Sequence, residues 1–285
     1  MSRPLIIGSQ GQLGRALSVL YPDAIMVDRA ELDITDQSSV ENFDWSEVSI
    51  ILNAAAYTAV DQAETAEGRI AAWGVNASAV HYIALAATTH NLTLVHVSSD
   101  YVFDGTHTPH SESEPFSPLS VYGASKAAGD IAAASTSQHY IVRTSWVIGE
   151  GKNFIATMHD LATRDISPSV VDDQRGRLTF TTDLAAGIKH LLDSHAPYGT
   201  YNLTNSGDVV SWADIARLVY EHSGKTASQV TGVSTEEYYR DKEGIAPRPL
   251  GSELSLEKIA AAGYRPRDWR EAFDEYLAGG IKENR

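Results

Sequence analysis

Residues 4–14 read PLIIGSQGQLG, and this stretch decides the fold of the 285-residue chain. The apolar run 4–7 predicts a buried strand, and the pattern of residues 15–20 predicts a helix. Glycines recur between them, at positions 8, 11 and 14. A strand, a glycine turn and a helix in this order are typical of a dinucleotide-binding site, because the turn lets backbone approach a pyrophosphate and the helix N-terminus offers N–H groups. The alternative is a turn that merely requires glycine.

A second strand is predicted over residues 24–28, and it ends in a carboxylate. Asp28 lies about 20 residues after Gly8, where a dinucleotide site places the acidic residue that binds the adenosine ribose. Arg29 follows directly, and its guanidinium would instead suit a 2′-phosphate. The pair therefore leaves NADH and NADPH both open as the cofactor, and ordinary surface charge remains the alternative for either residue.

Two further buried strands are predicted over residues 48–52 and 92–97. The first runs into the small residues of 53–58, which leave room for a cofactor at the carboxyl end of the strand or serve a tight turn. The second of these strands is followed directly by Ser98 and Ser99. Because side chains alternate along a strand, we expect only one of the two serines to face the site, and strand geometry alone does not choose between them.

A tyrosine and a lysine four residues apart supply candidate proton-transfer chemistry. Tyr122 and Lys126 share one face of a predicted helix that ends near Ala134. The ammonium group is expected to lower the pKa of the phenol, which then exchanges a proton with a substrate oxygen near neutral pH. A serine hydroxyl at the end of the preceding strand would hold the same oxygen. A tyrosine and a lysine four residues apart are common in helices by chance. The pair therefore indicates catalysis only together with the motifs that precede it in the chain.

The order of predicted elements indicates an α/β fold: a Rossmann-type doubly wound parallel sheet with a smaller, interleaved C-terminal α/β substrate domain. We expect residues 1–147 to form the dinucleotide-binding domain and residues 148–285 to form mainly the substrate domain. Segments near 179–205 and 226–234 are expected to return to the first domain. The remaining predicted strands cover residues 139–145, 170–171 and 199–203, with a polar loop over 172–177, and the predicted helices begin at Asp36, at 182–183, at 211 and at 256.

Composition excludes several classes of protein. The net charge of −15 argues against general nucleic-acid binding, which needs a basic face. The absence of cysteine agrees with a cytoplasmic protein, and no signal peptide is predicted because the N-terminus runs straight into a strand. No membrane span is expected, because no run of about 18 apolar residues is present. The scattered histidines predict no metal site.

Read together, the motifs resemble those of the extended short-chain dehydrogenase/reductases and, more narrowly, the dTDP-4-dehydrorhamnose reductase family. The resemblance covers nearly the whole chain and is most specific at SDYVFDG (99–105) and RTSWV (143–147). It also includes the glycine turn, YGASK (122–126) and the segments 53–64, 153–154, 173–176, 183–185, 211–212 and 248–254.

This resemblance implies reduction of the C4 keto group of dTDP-4-dehydro-β-L-rhamnose by NADPH or NADH. It selects Ser99 over Ser98 as the hydroxyl participant, beside Tyr122 as proton donor and Lys126. The substrate contacts it implies are Ser99, Asp100 and Trp146. The predicted cofactor contacts, from the turn and the resemblance together, are Gly8, Gly11, Gln12, Leu13, Gly14, Asp28, Arg29, Asp33, Ile34, Ala55, Ala56, Tyr57, Tyr122 and Lys126.

The chain departs from the family pattern at a few positions. Asp130 replaces the usual glutamate, while Ile148 and Leu178 replace an aromatic residue and a proline. Arg15 stands near a position where some relatives carry a glutamate for an intersubunit magnesium ion, so no metal is predicted here, and a homodimer is left open. Two alternatives remain: an epimerase or dehydratase of nucleotide sugars, and a non-catalytic member resembling the regulatory subunit of methionine adenosyltransferase.

Overall fold

A computed structural model describes residues 2–280, and a parallel sheet forms its centre. Six strands pair in the order β2-β1-β3-β4-β5-β10, all parallel, which confirms the predicted fold class. The strands are β1 Arg3–Ile7, β2 Ile25–Val27, β3 Val48–Asn53, β4 Thr93–Ser99, β5 His139–Thr144, β6 Val147–Ile148, β7 Ser169–Val171, β8 Arg175–Gly176, β9 Thr179–Phe180, β10 Gly199–Asn202, β11 Val210–Ser211 and β12 Thr231–Val233.

The strand order reverses between β1 and β3, and this places a ligand crevice at the carboxyl ends of those two strands. Leu5, Ile6 and Ile7 of β1 are all buried, because helices cover both faces of the sheet. Ile7 pairs with Val27 of β2 and Asn53 of β3, so the three strands end at the same level. The glycine turn that follows Ile7 therefore opens at the switch point of the sheet.

Helices connect the strands. They are α1 Gln12–Leu20, α2 Gln37–Glu41, α3 Ala66–Trp73, α4 Ala79–Thr89, α5 Val121–Ala133, α6 Phe154–Thr163, α7 Thr181–Asp193, α8 Trp212–His222, α9 Thr235–Tyr239, α10 Glu257–Ala261 and α11 Trp269–Ala278. Asp36 and Ser211 act as side-chain N-caps of α2 and α8, as their positions in the sequence predict. The predicted start of α7 is wrong by one to two residues, because Phe180 occupies the N-cap position and its N–H donates to Asn205 Oδ1 at 2.8 Å.

One continuous helical stretch, Ala66–Thr89, is long and apolar enough to cross a membrane by length and composition alone. A short π-helical segment joins its two α-helical parts, α3 and α4. Val80, Ile83 and Ala84 of α4 are buried in the core cluster that lies against the central sheet. The apolar composition of this helical stretch is therefore explained by the face of α4 that packs in the protein core.

The C-terminal segments build a second core around short two-stranded sheets. β12 pairs with β7 and β11 pairs with β8, while Trp269 and Tyr220 are fully buried between α8 and α11. β12 adds no strand to the six-stranded sheet, and the expected return of residues 226–234 to the first domain stays a prediction. Part of the predicted polar loop 172–177 is likewise strand β8, which β11 stabilises by antiparallel pairing. β10 pairs with β5 at the edge of the central sheet, and the division of the chain at residue 147 stays a prediction.

Candidate active site

Two adjoining cavities lie at the carboxyl ends of the central strands, and both are lined by Gly11, Ala54 and Ala56. The larger has a volume of about 510 Å³ and the smaller about 320 Å³. Predicted residues that line the larger cavity are Gly11, Gln12, Leu13, Ala56, Ser99, Asp100, Tyr122, Lys126 and Trp146. Those that line the smaller one are Gly8, Gly11, Asp28, Arg29, Asp33, Ile34, Ala55 and Ala56.

The glycine turn fits a dinucleotide for reasons that lie in its backbone. Gly8 has φ +77°, and a Cβ placed on it would lie 2.9 Å from the backbone of Ala55. Gly11 is the N-cap of α1 and supplies no side-chain cap, so no capping side chain stands before the helix N-terminus. The turn therefore leaves backbone N–H groups and the positive end of the helix dipole facing space that a pyrophosphate can fill.

The charged pair that follows β2 lines the smaller cavity. Asp28 accepts hydrogen bonds from Ser9 Oγ at 2.6 Å and from the Gln10 N–H at 3.2 Å, so its carboxylate also braces the turn. Arg29 is 83% exposed and its Nε lies 3.1 Å from Asp33 Oδ2. A carboxylate that suits a ribose and an exposed guanidinium that suits a phosphate thus lie side by side, and the cofactor preference stays open.

Two predicted cofactor contacts, Gly14 and Tyr57, do not line either cavity. A Cβ on Gly14 would lie 2.1 Å from the Gly8 carbonyl oxygen, so this glycine serves close packing of α1 under the turn. The Tyr57 N–H donates to Asn76 Oδ1 at 2.9 Å, and its ring packs near Tyr122. Both residues shape the site from outside the two cavities.

The predicted proton-transfer residues come together at the end of β4 and the start of α5. Ser99, Tyr122 and Lys126 are buried and line the same cavity. Ser98 lines it as well, but its Oγ is buried, so the expectation that only one serine side chain faces the site stays a prediction. Ser99 is the last extended residue before a short 3₁₀ helix, Asp100–Val102.

Burial sets the ionisation of this group. It raises the pKa of Tyr122 to about 12, although a hydrogen bond with Ser99 opposes the rise. The expectation that Lys126 lowers this pKa is not met, because Lys126 is itself desolvated and its Nζ donates to the Val97 carbonyl at 2.7 Å. Burial lowers the pKa of Lys126 to about 8. Tyr122 therefore keeps its proton at neutral pH, which is the form that a proton donor requires.

Asp100 is a buried carboxylate beside the same group. Burial raises its pKa to about 6, against hydrogen bonds from Ser252 and Ser99 that stabilise the charged form. The Ser99 hydroxyl donates to Oδ1 at 3.0 Å. Asp100 also lines the cavity, so this carboxylate lies beside the space that a polar ligand would occupy.

Two stacked tryptophans line the opposite part of the cavity. The rings of Trp146 and Trp212 lie 3.8 Å apart at an interplanar angle of 17°. Trp146 has φ +48°, a conformation that is uncommon for a residue with a side chain and that the surrounding packing must hold. Phe154 packs on Trp212 with ring centroids 4.6 Å apart. Sequence reasoning missed Trp212 as a cavity residue, although the resemblance included the segment 211–212.

A parallel sheet with a glycine turn at its switch point, and a buried Tyr–Lys pair facing the same crevice, define an oxidoreductase of the short-chain dehydrogenase/reductase class. Residues 2–280 match the family described as "RmlD substrate binding domain". The chain belongs to this family, which confirms the predicted resemblance. Within residues 2–280, no group of three His, Cys, Asp or Glu side chains is placed to hold a metal ion.

Relatives and solved structures agree with this assignment over the full length. The chain is 40% identical to the spore coat polysaccharide biosynthesis protein SpsK of Bacillus subtilis, with 97% of each chain covered. It is 39% identical to the dTDP-4-dehydrorhamnose reductase of Aggregatibacter actinomycetemcomitans, covering 98% of this chain and 99% of the relative. The crystal structure of dTDP-4-dehydrorhamnose reductase from Bacillus anthracis in complex with NADP has a TM-score of 0.89, with 34% identity, 98% of this chain covered and 100% of that one.

Proposed function

We propose that this protein reduces the C4 keto group of dTDP-4-dehydro-β-L-rhamnose to give dTDP-L-rhamnose, with NADPH or NADH as the reductant. The broader activity, 4-keto reduction of a dTDP-sugar, is supported by the relatives of the family and by the NADP complex of the Bacillus anthracis reductase. The named sugar rests on the relative from Aggregatibacter actinomycetemcomitans, whereas the name of SpsK gives only a spore coat polysaccharide. A cytoplasmic location and a homodimer stay predictions.

The single observation that supports this function best is the composition of the larger cavity. Its walls combine Gly11 of the dinucleotide turn, the buried group Ser99, Tyr122 and Lys126, and the aromatic surface of Trp146. A cofactor and a sugar that bind along these walls would meet beside the proton donor. A non-catalytic member would not need this buried group intact.

The residues of the chain position the cofactor and the sugar, and they supply the proton. The α1 N-terminus would hold the pyrophosphate, and the smaller cavity with Asp28 and Arg29 would hold the adenosine end. NAD(P)H held there would supply the hydride for the C4 carbonyl, and Tyr122 would transfer its hydroxyl proton to the carbonyl oxygen. Ser99 donates a hydrogen bond to the same oxygen and stabilises its developing negative charge, while Lys126 binds the nicotinamide ribose.

The test follows NAD(P)H oxidation with purified protein and dTDP-4-dehydro-β-L-rhamnose, offered with each cofactor in turn. Tyr122→Phe removes the transferable proton with little change in volume, so turnover should fall by about 10²- to 10⁴-fold, as for the loss of a general acid. The matched control is Tyr198→Phe, because Tyr198 is 47% exposed and outside the cavity. Its turnover should equal that of the wild type.

Two outcomes would contradict the proposal. A folded Tyr122→Phe protein with turnover within about threefold of the wild type would remove Tyr122 as the proton donor. A wild-type protein that retains bound NAD⁺ and changes a nucleotide sugar without net consumption of NAD(P)H would instead be an epimerase or dehydratase. Other dTDP-4-keto sugars in the same assay define how strictly the enzyme selects its substrate.

A further inference from the structure

Helix α5 carries a third ionisable residue on the face that holds the proton-transfer pair. Tyr122, Lys126 and Asp130 follow one another at intervals of four residues, which aligns their side chains along one side of a helix. Asp130 is 1% exposed and does not line the cavity that Tyr122 and Lys126 line. A buried carboxylate is costly unless it is paired, so its partners indicate what it does.

Asp130 is held from the neighbouring strands. Its Oδ2 accepts a hydrogen bond at 2.9 Å from Nε of Arg143, which is itself 4% exposed on β5. Its Oδ1 lies 4.0 Å from His96 Nε2 of β4 and, within residues 2–280, has no hydrogen-bond partner. Arg143 is fixed in turn between the rings of Phe103 and Phe116, each 5.1 Å from the guanidinium carbon. This network leaves one oxygen of Asp130 without a bond of its own.

Lys126 is the residue in this network that most needs a nearby negative charge. It is 2% exposed, and one carbonyl oxygen, that of Val97, accepts a hydrogen bond from its ammonium group. Burial lowers the pKa of Lys126, and the charge of Asp130 opposes that fall. Burial likewise raises the pKa of Asp130, and the charges of Arg143 and Lys126 oppose that rise, so each charge of the buried group supports the other. The other groups around it add no negative charge: burial and then Lys126 itself keep the pKa of His96 well below its usual value, and Tyr122 is protonated.

We propose that Asp130, anchored by Arg143, is a positioning residue that keeps Lys126 in the ammonium form and directed to the cavity. The proposal deepens the proposed function, because it matters for catalysis only if Lys126 binds the cofactor ribose there. Asp130 itself lies behind Lys126 and does not line the cavity, so it acts through Lys126 and not on the substrate. The same network gives Arg143 its role, since a fixed guanidinium holds the carboxylate in place.

The first measurement reads Lys126 directly, without substrate. In protein labelled with ¹³C and ¹⁵N in lysine, the side-chain NMR signal of Lys126, assigned with Lys126→Met, is titrated with pH in the wild type and in Asp130→Asn. The midpoint should fall by about one to two pH units in the variant, the shift that one charge produces across about 6 to 12 Å at an effective dielectric constant near 20. Asp193→Asn is the control, because Asp193 is an exposed partner of Lys189 on α7.

The second measurement is the pH profile of kcat, which separates this role from a structural defect. With the pKa of Lys126 at about 8, a fall of one to two units leaves about 5- to 50-fold less charged Lys126 at pH 8 but at most about twofold less at pH 6. The kcat of Asp130→Asn should follow these ratios. A structural defect would lower kcat by the same factor at both pH values. Asp130→Glu, which restores the carboxylate, should recover most of the activity at pH 8.

Asp130→Asn leaves Arg143 buried without its partner, and that change can prevent folding. The double variant Asp130→Leu/Arg143→Met removes both charges and leaves neither one unpaired, so the lysine titration can be repeated in it. A midpoint for Lys126 that is unchanged in every folded variant would overturn the proposal, as would a pH-independent loss of kcat. If instead the wild type does not reduce the keto sugar, the proposed function fails, while the NMR titration still decides whether Asp130 sustains the charge of Lys126.

Discussion

Tyr122 and Asp100 show how burial, more than neighbouring charge, sets the chemistry of single residues in this site. Burial raises the pKa of both, to about 12 and about 6 respectively. The phenol is therefore protonated at neutral pH, whereas the carboxylate is charged there at a cost in stability. Both residues line the larger cavity. Only Asp100 lowers stability at neutral pH, because Tyr122 is protonated in the folded and the unfolded chain alike.

Because the charged carboxylate of Asp100 is buried, its removal should raise the free energy of unfolding by an amount that depends on pH. Because its pKa is raised from 3.8 to about 6 in the folded state, its contribution is favourable below pH 3.8 and is lost as the pH rises through 6. Asp100→Asn should therefore raise the free energy of unfolding by up to about 3 kcal/mol at pH 8 and change it little at pH 4. Urea denaturation at both pH values measures this, with exposed Asp23→Asn as the control. An equal change at both pH values would refute the assignment.

Gly11 predicts a second effect at the residue scale, on cofactor binding. A Cβ at this position would lie 3.2 Å from the Gly8 carbonyl oxygen, and a larger side chain would enter the space between the two cavities. Gly11→Val should weaken NADPH binding by about tenfold or more, roughly 1.4 kcal/mol, while the protein stays folded. Fluorescence titration measures the affinity. The control is Gly74→Val, since a Cβ on Gly74 meets no atom within 4 Å. Unchanged affinity in Gly11→Val would exclude the turn from the site.

At the scale of elements, the site is made where strands end and helices begin. β4 ends at Ser99, α5 begins just before Tyr122, and α8 begins at Trp212. The start of α8 is fixed by a capping box, in which Ser211 and Asp214 exchange hydrogen bonds with each other's backbone N–H groups. The cap therefore determines where the indole of Trp212 stands relative to Trp146.

This placement predicts that Trp212 acts on substrate affinity through the Trp146 ring. Trp212→Leu removes the stacked partner at 3.8 Å and frees Trp146, whose backbone conformation depends on packing. We expect KM for the keto sugar to rise by about 2- to 10-fold, the value of an aromatic pair, with kcat within about twofold. Steady-state kinetics measure both, and the near-ultraviolet circular dichroism of the stacked indoles should be lost. Trp73→Leu is the control, because Trp73 is 42% exposed on α3. A KM equal to that of the wild type would contradict this role.

At the scale of the whole molecule, the C-terminal part is tied to the loop after β3 by one ion pair. Arg248 donates to both carboxylate oxygens of Asp61, at 2.7 and 2.9 Å, and the Ala246 N–H donates to the same group. The two residues are 187 positions apart in the chain. A bidentate pair that joins such distant segments holds the sequence around residue 248 beside the crevice.

A double-mutant cycle measures the coupling free energy of the Asp61–Arg248 ion pair. Asp61→Ala, Arg248→Ala and the double variant should give a coupling free energy of unfolding of about 1–2 kcal/mol, limited by the partial exposure of Asp61. The control cycle uses Lys189 and Asp193, an exposed pair within one helix, for which about 0.5 kcal/mol or less is expected. Coupling no larger than that of the control pair would mean that Asp61 and Arg248 do not join the two parts.

The sequence by itself determined the features that depend on neighbouring residues. Hydrophobic period and turn chemistry predict the strand, glycine turn and helix of residues 4–20, the N-cap residues Asp36 and Ser211, and the shared face of Tyr122 and Lys126. They suffice to predict a parallel sheet and most of the cofactor crevice, because the carboxyl ends of parallel strands meet at one edge.

Only the tertiary structure decided the features that depend on distant segments. These are the pairing of β12 with β7, the stacking of Trp212 on Trp146 and the pKa of Tyr122. Short strands can pair with several partners, so packing selects among them. The pKa expected from a nearby ammonium was wrong because desolvation depends on everything that surrounds the phenol. Local sequence carries no record of that surrounding, because distant segments of the chain supply it only in the folded structure.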